Sequence, residues 1–512
     1  MVVNLSMDNN SQNNKRIAKN TLMLYIRMVL TLGVGLYTSR VILRVLGIED
    51  YGIYNIVGGV IVLFSFLNSA LTQATQRFLT YELGRNDRQG FRRVFSLSIL
   101  VYLGLSIIII SIGETVGLWF LNTKLNIDGN KIVEANWVYQ FSIIAFFFNM
   151  MYTPFNAAII AYEKMSFYAY TSIIEVLLKL LIVYLLLLIE YDKLTVYAML
   201  VSLVSFVVLC IYVTYCTYKF KECRFAFYWN KNMFVKLVSF SGWSMFGSLS
   251  VMAANQGVNL LLNIFFGVVV NAAMGITNQI SNAINQLVLN IQVAFNPQIT
   301  KSYAKGDRKY WETLVFRSAK ASYLLLFFIS FPFLIKTDYI LHIWLGNVPP
   351  YTVSFCRLAV ISLLIDALSG PLWMLIQANG RIKKYQLIIG SVILLNLVLS
   401  YLMFYLGYNP DTALVIRCVI CGMLLIIRLV LFVDMLDFPS VEFCKQVMLR
   451  VILVTLLASP FPLIISQYIN GVAGLVFTTI TAFISILLFS YLIGMNTNEK
   501  FFIRKYIYNK IR

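Results

Sequence analysis

Amide side chains recur at helical spacing in two consecutive stretches of the sequence. Asn255, Asn259 and Asn263 are each four residues apart, so they share one face of a helix. An amide both donates and accepts hydrogen bonds, which suits sugar hydroxyls and water. These rows predict a polar binding surface, and polar packing between helices is the competing interpretation. The second row, also on one face, consists of Asn278, Asn282, Asn285, Gln292 and Asn296.

Charged residues inside apolar stretches are a second group of candidates. Glu175 and Lys179 are four residues apart on one helix face. They form either a neutralising pair or a proton- or substrate-linked pair that lines a cavity. Asp366 lies near the middle of an apolar stretch, and with Glu175 it is our candidate for binding a coupling ion or proton. The alternative is that Asp366 is the structural partner of Arg357, Arg417 or a neighbouring helix.

Two arginines, Arg27 and Arg40, lie within the first apolar stretch. A charge at bilayer depth costs about 2.5–3.5 kcal/mol on insertion scales, so such residues usually face protein or a water-filled cavity. For Arg40, interfacial snorkelling is equally open. Arg27, Arg40 and Lys179 are therefore our basic candidates for substrate binding.

Other chemistries have little support in the sequence. His342 is the only histidine, which argues against acid–base or metal chemistry based on imidazole. The seven cysteines imply no disulfide framework. Cys418 and Cys421 are three residues apart on one predicted helix, where they act either as small packing residues or as a metal or redox pair. We expect no catalytic residue, no metal site and no cofactor.

The elements that position these residues are membrane-spanning helices. The chain of 512 residues is 60% hydrophobic and 12% charged, whereas soluble domains are about 45–50% apolar and about 25% charged. A span needs about 20 mostly apolar residues, which predicts about fourteen helices in an all-α polytopic membrane protein. The predicted spans are 20–45, 53–79, 94–120, 137–161, 168–189, 195–218, 237–265, 270–298, 314–335, 353–378, 385–407, 411–433, 449–468 and 474–494.

The loops between the spans carry basic residues on alternate sides. One set of loops and tails holds 27 lysines and arginines and the other set holds 4. Because cytoplasmic loops are the basic ones, both termini are predicted to be cytoplasmic. This asymmetry accounts for most of the net charge of +19 without any nucleic-acid partner.

The sequence also repeats itself weakly. At an offset of 220 residues, Gly47 corresponds to Gly267, and the loop LGRNDRQGF aligns with YAKGDRKYW without a gap. At an offset of 217, Pro154 corresponds to Pro371, and fourteen residues later Tyr168 corresponds to Tyr385. The repeat predicts two parallel six-helix bundles, a plan found in secondary transporters that bind substrate between their halves. The predicted regions are a cytoplasmic tail (1–19), a first bundle (20–218), a linker (219–236), a second bundle (237–433), two additional helices (434–494) and a basic cytoplasmic tail (495–512).

Three motifs and the fourteen-span plan resemble the bacterial polysaccharide flippases, the Wzx-like branch of the MOP (MATE-like) superfamily. The motifs are SRVILRVLGIEDYGIYNIV, QATQRFLTYELGRND and ILHIWLGNVPPY. The resemblance implies translocation of undecaprenyl-pyrophosphate-linked repeat units across the bacterial inner membrane, driven by an H⁺ or Na⁺ gradient. It also implies a cationic, polar cavity, in which arginine or lysine would hold the pyrophosphate. Membrane lipids and polysaccharide polymerase machinery are the other partners expected.

Two other classes compete with this interpretation. A MATE-type cation-coupled efflux transporter would favour acidic residues in the cavity, whereas the intramembrane residues here are mostly basic or amide. An enzyme such as a polymerase, ligase or glycosyltransferase generally needs a sizeable outer loop or an acidic catalytic motif. Neither feature is visible, so we expect that the chain is not an enzyme.

Overall fold

The computed structural model describes residues 19–35, 37–38, 41–42, 44–47, 50, 53–54, 57, 65–124, 131–189, 192–496 and 499–500. Within these ranges every regular element is a helix, which confirms the all-α prediction. Eleven of the described helices or runs of helices are long and apolar enough to cross a membrane. The protein is therefore a polytopic α-helical membrane protein.

The first half of the chain contains long helices joined by short connections. The described helices are α1 (19–35), α2 (Ser65–Gly84), α3 (Arg88–Ile112), α4 (Leu118–Lys124), α5 (Ile132–Ala161), α6 (Met165–Leu186) and α7 (Lys193–Lys219). A π-helical turn, Gly113–Gly117, joins α3 to α4. The predicted linker (219–236) contains a 3₁₀ turn, Lys221–Cys223, and its first and last residues belong to the helices on either side.

The second half follows the same pattern and ends in the two additional spans. Its described helices are α8 (Lys231–Phe266), α9 (Val268–Ala304), α10 (Arg308–Ile335), α11 (Thr337–Leu345), α12 (Thr352–Ala367), α13 (Gly370–Asn379), α14 (Ile382–Tyr405), α15 (Thr412–Leu436), α16 (Ser440–Phe443), α17 (Leu449–Ala458), α18 (Pro460–Tyr468) and α19 (Gly471–Phe489). Helix α9 is not among the eleven apolar spans, because it carries ten amide side chains. Its polarity sets it apart from its neighbours.

The chain divides into two compact units. The first comprises residues 1–245 and 300–306, and the second comprises residues 246–299 and 307–512. In the first unit, aromatic residues of α3, α5 and α7 form a buried core that includes Phe91, Phe95, Phe155 and Tyr212. In the second unit, α19 packs on α10, so the C-terminal helices belong to the core of this unit.

Pro154 and Pro371, which the repeat aligns, lie in different helical positions. Pro154 and Pro332 lie inside the continuous helices α5 and α10. Pro371 instead follows a break between α12 and α13 and occupies the first turn of α13, where its missing N–H costs no hydrogen bond. Asp366 therefore lies at the C-terminal end of α12, just before this break.

The repeated polar loops have a structural cause. Each loop places a residue with positive φ directly before an aspartate, Asn86 (φ 58°) before Asp87 and Gly306 (φ 75°) before Asp307. Asparagine and glycine tolerate this conformation best. Each aspartate then caps the next helix, since Oδ1 of Asp87 accepts from Gly90 N at 2.8 Å and Oδ1 of Asp307 accepts from Tyr310 N at 3.2 Å. The two loops align because each ends one helix at a residue with positive φ and caps the next helix with an aspartate.

The caps give a first testable prediction. Asp307→Ala should lower the free energy of unfolding by about 1 kcal/mol, because Tyr310 N then loses its acceptor. Asp307→Asn should leave stability almost unchanged, since asparagine caps a helix about as well. Thermal unfolding of the purified protein followed by tryptophan fluorescence would measure both. Equal losses in the two variants would mean that the carboxylate charge, and not the cap, stabilises this loop.

Candidate functional site

A small polar pocket lies inside the first unit, among α1, α5, α6 and α7. Its volume is about 220 Å³, which is below the usual range for drug-sized ligands and closer to the size of a single anionic group. Helix α6 contributes more of its wall than any other helix. The polar side chains that line it are Arg27, Thr31, Tyr152, Tyr168, Ser172, Glu175 and Tyr212. We call it the Arg27 pocket.

Arg27 is held in this pocket by an aromatic residue of α6. Its Nη1 donates to the hydroxyl oxygen of Tyr168 at 2.9 Å, and its guanidinium carbon lies 4.7 Å from the centre of the same ring. Its Nε is inaccessible and has no hydrogen-bond acceptor among the described residues. An unsatisfied buried donor on a cation is costly. The pocket therefore offers a positioned positive charge, whose Nη atoms carry donors beyond the one bonded to Tyr168.

Glu175 also lines the pocket, but its charge is balanced by its neighbour on α6. Lys179 Nζ lies 2.6 Å from Oε1 of Glu175, and the two side chains are 39% and 36% exposed. The predicted pair on one helix face is confirmed. Its role in proton or substrate coupling stays a prediction. Because Lys179 neutralises Glu175, Arg27 gives the pocket its net positive charge.

The second unit contains a related cluster around Asp366. Arg428 Nη1 lies 3.3 Å from Oδ1 of Asp366, and Arg428 Nε donates to the hydroxyl oxygen of Tyr385 at 2.9 Å. The Tyr385 ring stacks on Trp373 at 5.3 Å between centres. The arginine side chain is 10% exposed and the Asp366 side chain is 56% exposed. The described partner of Asp366 is thus Arg428, and neither Arg357 nor Arg417 forms this bond.

The two clusters are related through the repeat. Tyr168 and Tyr385 correspond at the offset of 217, and each accepts a hydrogen bond from an arginine within its own unit. The arginines come from different helices, Arg27 from α1 and Arg428 from α15. At the offset of 220, Arg27 corresponds to Gly247 of α8, where a Cβ atom would overlap the carboxamide of Gln386 in α14. The second unit therefore has no room for an arginine at the position equivalent to Arg27.

The amide residues predicted to form a binding surface lie on the parts of α8 and α9 that belong to the second unit. Asn255 and Asn282 are exposed, while Asn278 and Asn285 are partly buried. Asn259 is also partly buried, and its Oδ1 atom is inaccessible and has no donor among the described residues. Exposed amides on a membrane helix need water, protein or a ligand around them. Their contact with sugar stays a prediction.

Part of the predicted site differs from expectation. Arg40 lies outside the described residues. Gln292, a member of the second amide row, packs against the backbone of Gly370 at the start of α13. The contact is so close that a Cβ atom added at Gly370 would overlap the carboxamide of Gln292. Gln292 therefore supports helix packing. No role was predicted for Tyr168, Tyr385 or Arg428, although an arginine inside the apolar span 411–433 was a visible signal.

Comparison with solved structures identifies the class of fold. The chain is similar to a MATE protein in complex with MaD3S, with a TM-score of 0.70 and 15% identity over 85% of this chain and 97% of that one. An outward-facing multidrug resistance MATE family transporter of the MOP superfamily gives a TM-score of 0.69 at 14% identity, over 84% and 97% of the two chains. A MOP superfamily transporter from Pyrococcus furiosus, for which reverse polarity of the binding pocket suggests a different function, gives 0.65 at 14% identity, over 80% and 95%. The chain therefore has a MATE-like fold.

The sequence comparison identifies the family. Residues 17–303, more than half of the chain, match the family described as polysaccharide biosynthesis protein. The chain belongs to this family. Comparison with curated proteins gives no match.

Proposed function

We propose that this protein is a flippase that translocates undecaprenyl-pyrophosphate-linked oligosaccharide repeat units across the bacterial inner membrane. Its product would serve the synthesis of a surface polysaccharide such as O-antigen or capsule. Both termini would lie in the cytoplasm, as the basic loops predict. The observation that carries the proposal is the Arg27 pocket, which sits in a protein of the polysaccharide biosynthesis family.

The charge of this pocket favours an anionic substrate. A guanidinium group binds phosphate with two parallel hydrogen bonds, and such charge-assisted bonds are stronger than neutral ones. Nη1 of Arg27 already donates to the hydroxyl oxygen of Tyr168, whereas its buried Nε has no acceptor among the described residues. Because Nε is inaccessible, a phosphate would bind at the Nη atoms, which carry donor hydrogens beyond the one given to Tyr168.

The main alternative is cation-coupled efflux of small molecules, which other MATE-like proteins suggest. Binding a cationic drug would require an acidic residue without a basic partner. In the described structure Glu175 binds Lys179 and Asp366 binds Arg428, so both candidate carboxylates are paired. The Pyrococcus furiosus relative, with its reversed pocket polarity, indicates that pocket charge varies within this fold.

The size of the pocket limits what it can hold. A volume of about 220 Å³ suits a phosphate-sized group and is too small for an oligosaccharide. The sugars would therefore lie outside the pocket. The amide side chains of α8 and α9 have the hydrogen-bonding chemistry that sugar hydroxyls need.

Deletion of the gene in its native host tests the proposal. The deletion should abolish the surface glycan while lipid-linked repeat units accumulate in the inner leaflet, and the wild-type gene should restore both. Glycan would be measured by immunoblotting and lipid-linked units by mass spectrometry of membrane extracts. A deletion strain with no second flippase that still displays normal glycan would contradict the proposal. Increased drug sensitivity with normal glycan would favour the efflux alternative.

A further inference from the structure

A second, apolar cavity lies beside the Arg27 pocket and is formed by α6 and α7, two of the four helices that line that pocket. It has a volume of about 570 Å³ and its lining is almost wholly apolar. Most of the lining comes from α7, with Phe167 contributed by α6. The lining includes Phe167, Phe206, Cys210, Thr214, Tyr215 and Tyr218. Tyr218 is 88% exposed, so the cavity opens to the outside of the unit. We call it the α6–α7 groove.

The groove and the Arg27 pocket are separated by a thin aromatic wall. Phe167 lines the groove, and the next residue, Tyr168, holds Arg27 in the pocket. The Phe167 ring stacks on Tyr215 at 3.7 Å between centres and meets the edge of Tyr212 at 5.6 Å. Tyr212 itself lines the pocket. The contact between Phe167 and Tyr212 therefore lies between the groove and the pocket, and one of these rings would have to move for a single molecule to occupy both.

The groove lies in the half of the membrane where the substrate would be loaded. It runs along α7 from Phe206 to Tyr218, next to the helix end at Lys219. At about 1.5 Å per residue this distance is roughly 18 Å, close to half of a hydrocarbon core of about 30 Å. The loop that follows carries Lys221 and Arg224, which predicts that this end is cytoplasmic.

We propose that the α6–α7 groove binds the polyprenyl chain of the substrate next to its head group, while Arg27 binds the phosphate on the other side of the wall. This inference rests on the proposed function and names the place where the lipid part of the substrate docks. An amphiphile with an anionic head and a single chain matches the pairing of a cationic pocket with an apolar groove formed by two helices. A phospholipid also has an anionic head, but it would have to fit two chains into this groove.

Photo-crosslinking in the full-length protein tests this assignment. The photoreactive residue benzoylphenylalanine would replace Phe206 in the groove, and in the control it would replace Val430 on α15, which is 65% exposed outside the groove. Both variants would be placed in nanodiscs of phosphatidylethanolamine and phosphatidylglycerol with radiolabelled undecaprenyl phosphate. Labelling at position 206 should exceed labelling at position 430 by at least about tenfold, the ratio that 1.4 kcal/mol of selective binding gives.

Two further measurements separate specific binding from contact with bulk lipid. Uncharged undecaprenol should label position 206 much less than undecaprenyl phosphate, and Arg27→Gln should remove this difference. Equal labelling at both positions, or labelling that excess phosphatidylglycerol suppresses as well as unlabelled undecaprenyl phosphate, would overturn the groove assignment. The Phe206 variant should also be tested for restoring surface glycan in the deletion strain. If it does restore glycan, either of these labelling results would contradict the groove assignment alone and leave the proposed function standing.

Discussion

Replacing Arg27 with glutamine is expected to reduce transport of lipid-linked repeat units by about tenfold to hundredfold. The estimate follows from the loss of one charge-assisted hydrogen bond to phosphate, worth about 1.5–3 kcal/mol. Glutamine keeps a polar side chain of similar length but removes the charge and the forked donors. Arg27→Lys should fall between wild type and Arg27→Gln, because lysine keeps the charge without the planar fork. Transport would be measured as recovery of surface glycan in the deletion strain.

A matched control separates the pocket from the general effect of removing a charge. Arg44 belongs to the same predicted span as Arg27, and its side chain is exposed. Arg44→Gln should restore glycan almost fully at equal membrane abundance, since an exposed charge at a helix end can reach the interface. Full activity of Arg27→Gln, at an abundance equal to wild type, would show that the Arg27 pocket does not bind the substrate.

The sequence predicted the helices well because the signal for a membrane span is local. A continuous apolar run is enough to indicate a span, and the predicted spans from 94–120 onward coincide with described helices or runs of helices. The repeated loops were also readable, because Asp87 and Asp307 cap helices within three residues of their own positions. Helix ends were less accurate. α8 begins at Lys231 and α9 ends at Ala304, since helices continue past the apolar run into basic and polar turns.

The contacts within the candidate site depend on long-range packing, which a single sequence does not contain. Arg27 and Tyr168 are 141 residues apart and meet only because α1 packs near α6. The partner of Asp366 shows that the position of a residue along its helix axis decides which side chains can pair. Arg417 and Arg428 lie on one helix, eleven residues apart, which is roughly 16 Å along its axis. The depth of neither arginine can be read accurately from the apolar run around it, and the structure places Arg428 beside Asp366.

The Asp366–Arg428 pair leads to the second large expected effect. Asp366→Asn should lower the free energy of unfolding by about 1–3 kcal/mol, because it leaves the guanidinium of Arg428 buried without its counter-charge. This loss is smaller than the roughly 3–5 kcal/mol of a fully buried pair, since the Asp366 side chain is 56% exposed. Thermal unfolding of the purified variant would measure it.

The double variant Asp366→Asn/Arg428→Gln distinguishes the two roles of this carboxylate. Removing both charges leaves no unpaired ion, and glutamine can still donate to the hydroxyl oxygen of Tyr385, so stability should recover. If Asp366 serves only to neutralise Arg428, surface glycan should recover as well, and this is the result we expect from the geometry of the pair. If stability recovers while glycan stays absent, Asp366 must act in transport itself, as a group that binds the coupling proton or cation. The same substitutions therefore measure how much the ion pair stabilises the folded protein and test, through surface glycan, whether Asp366 takes part in coupling.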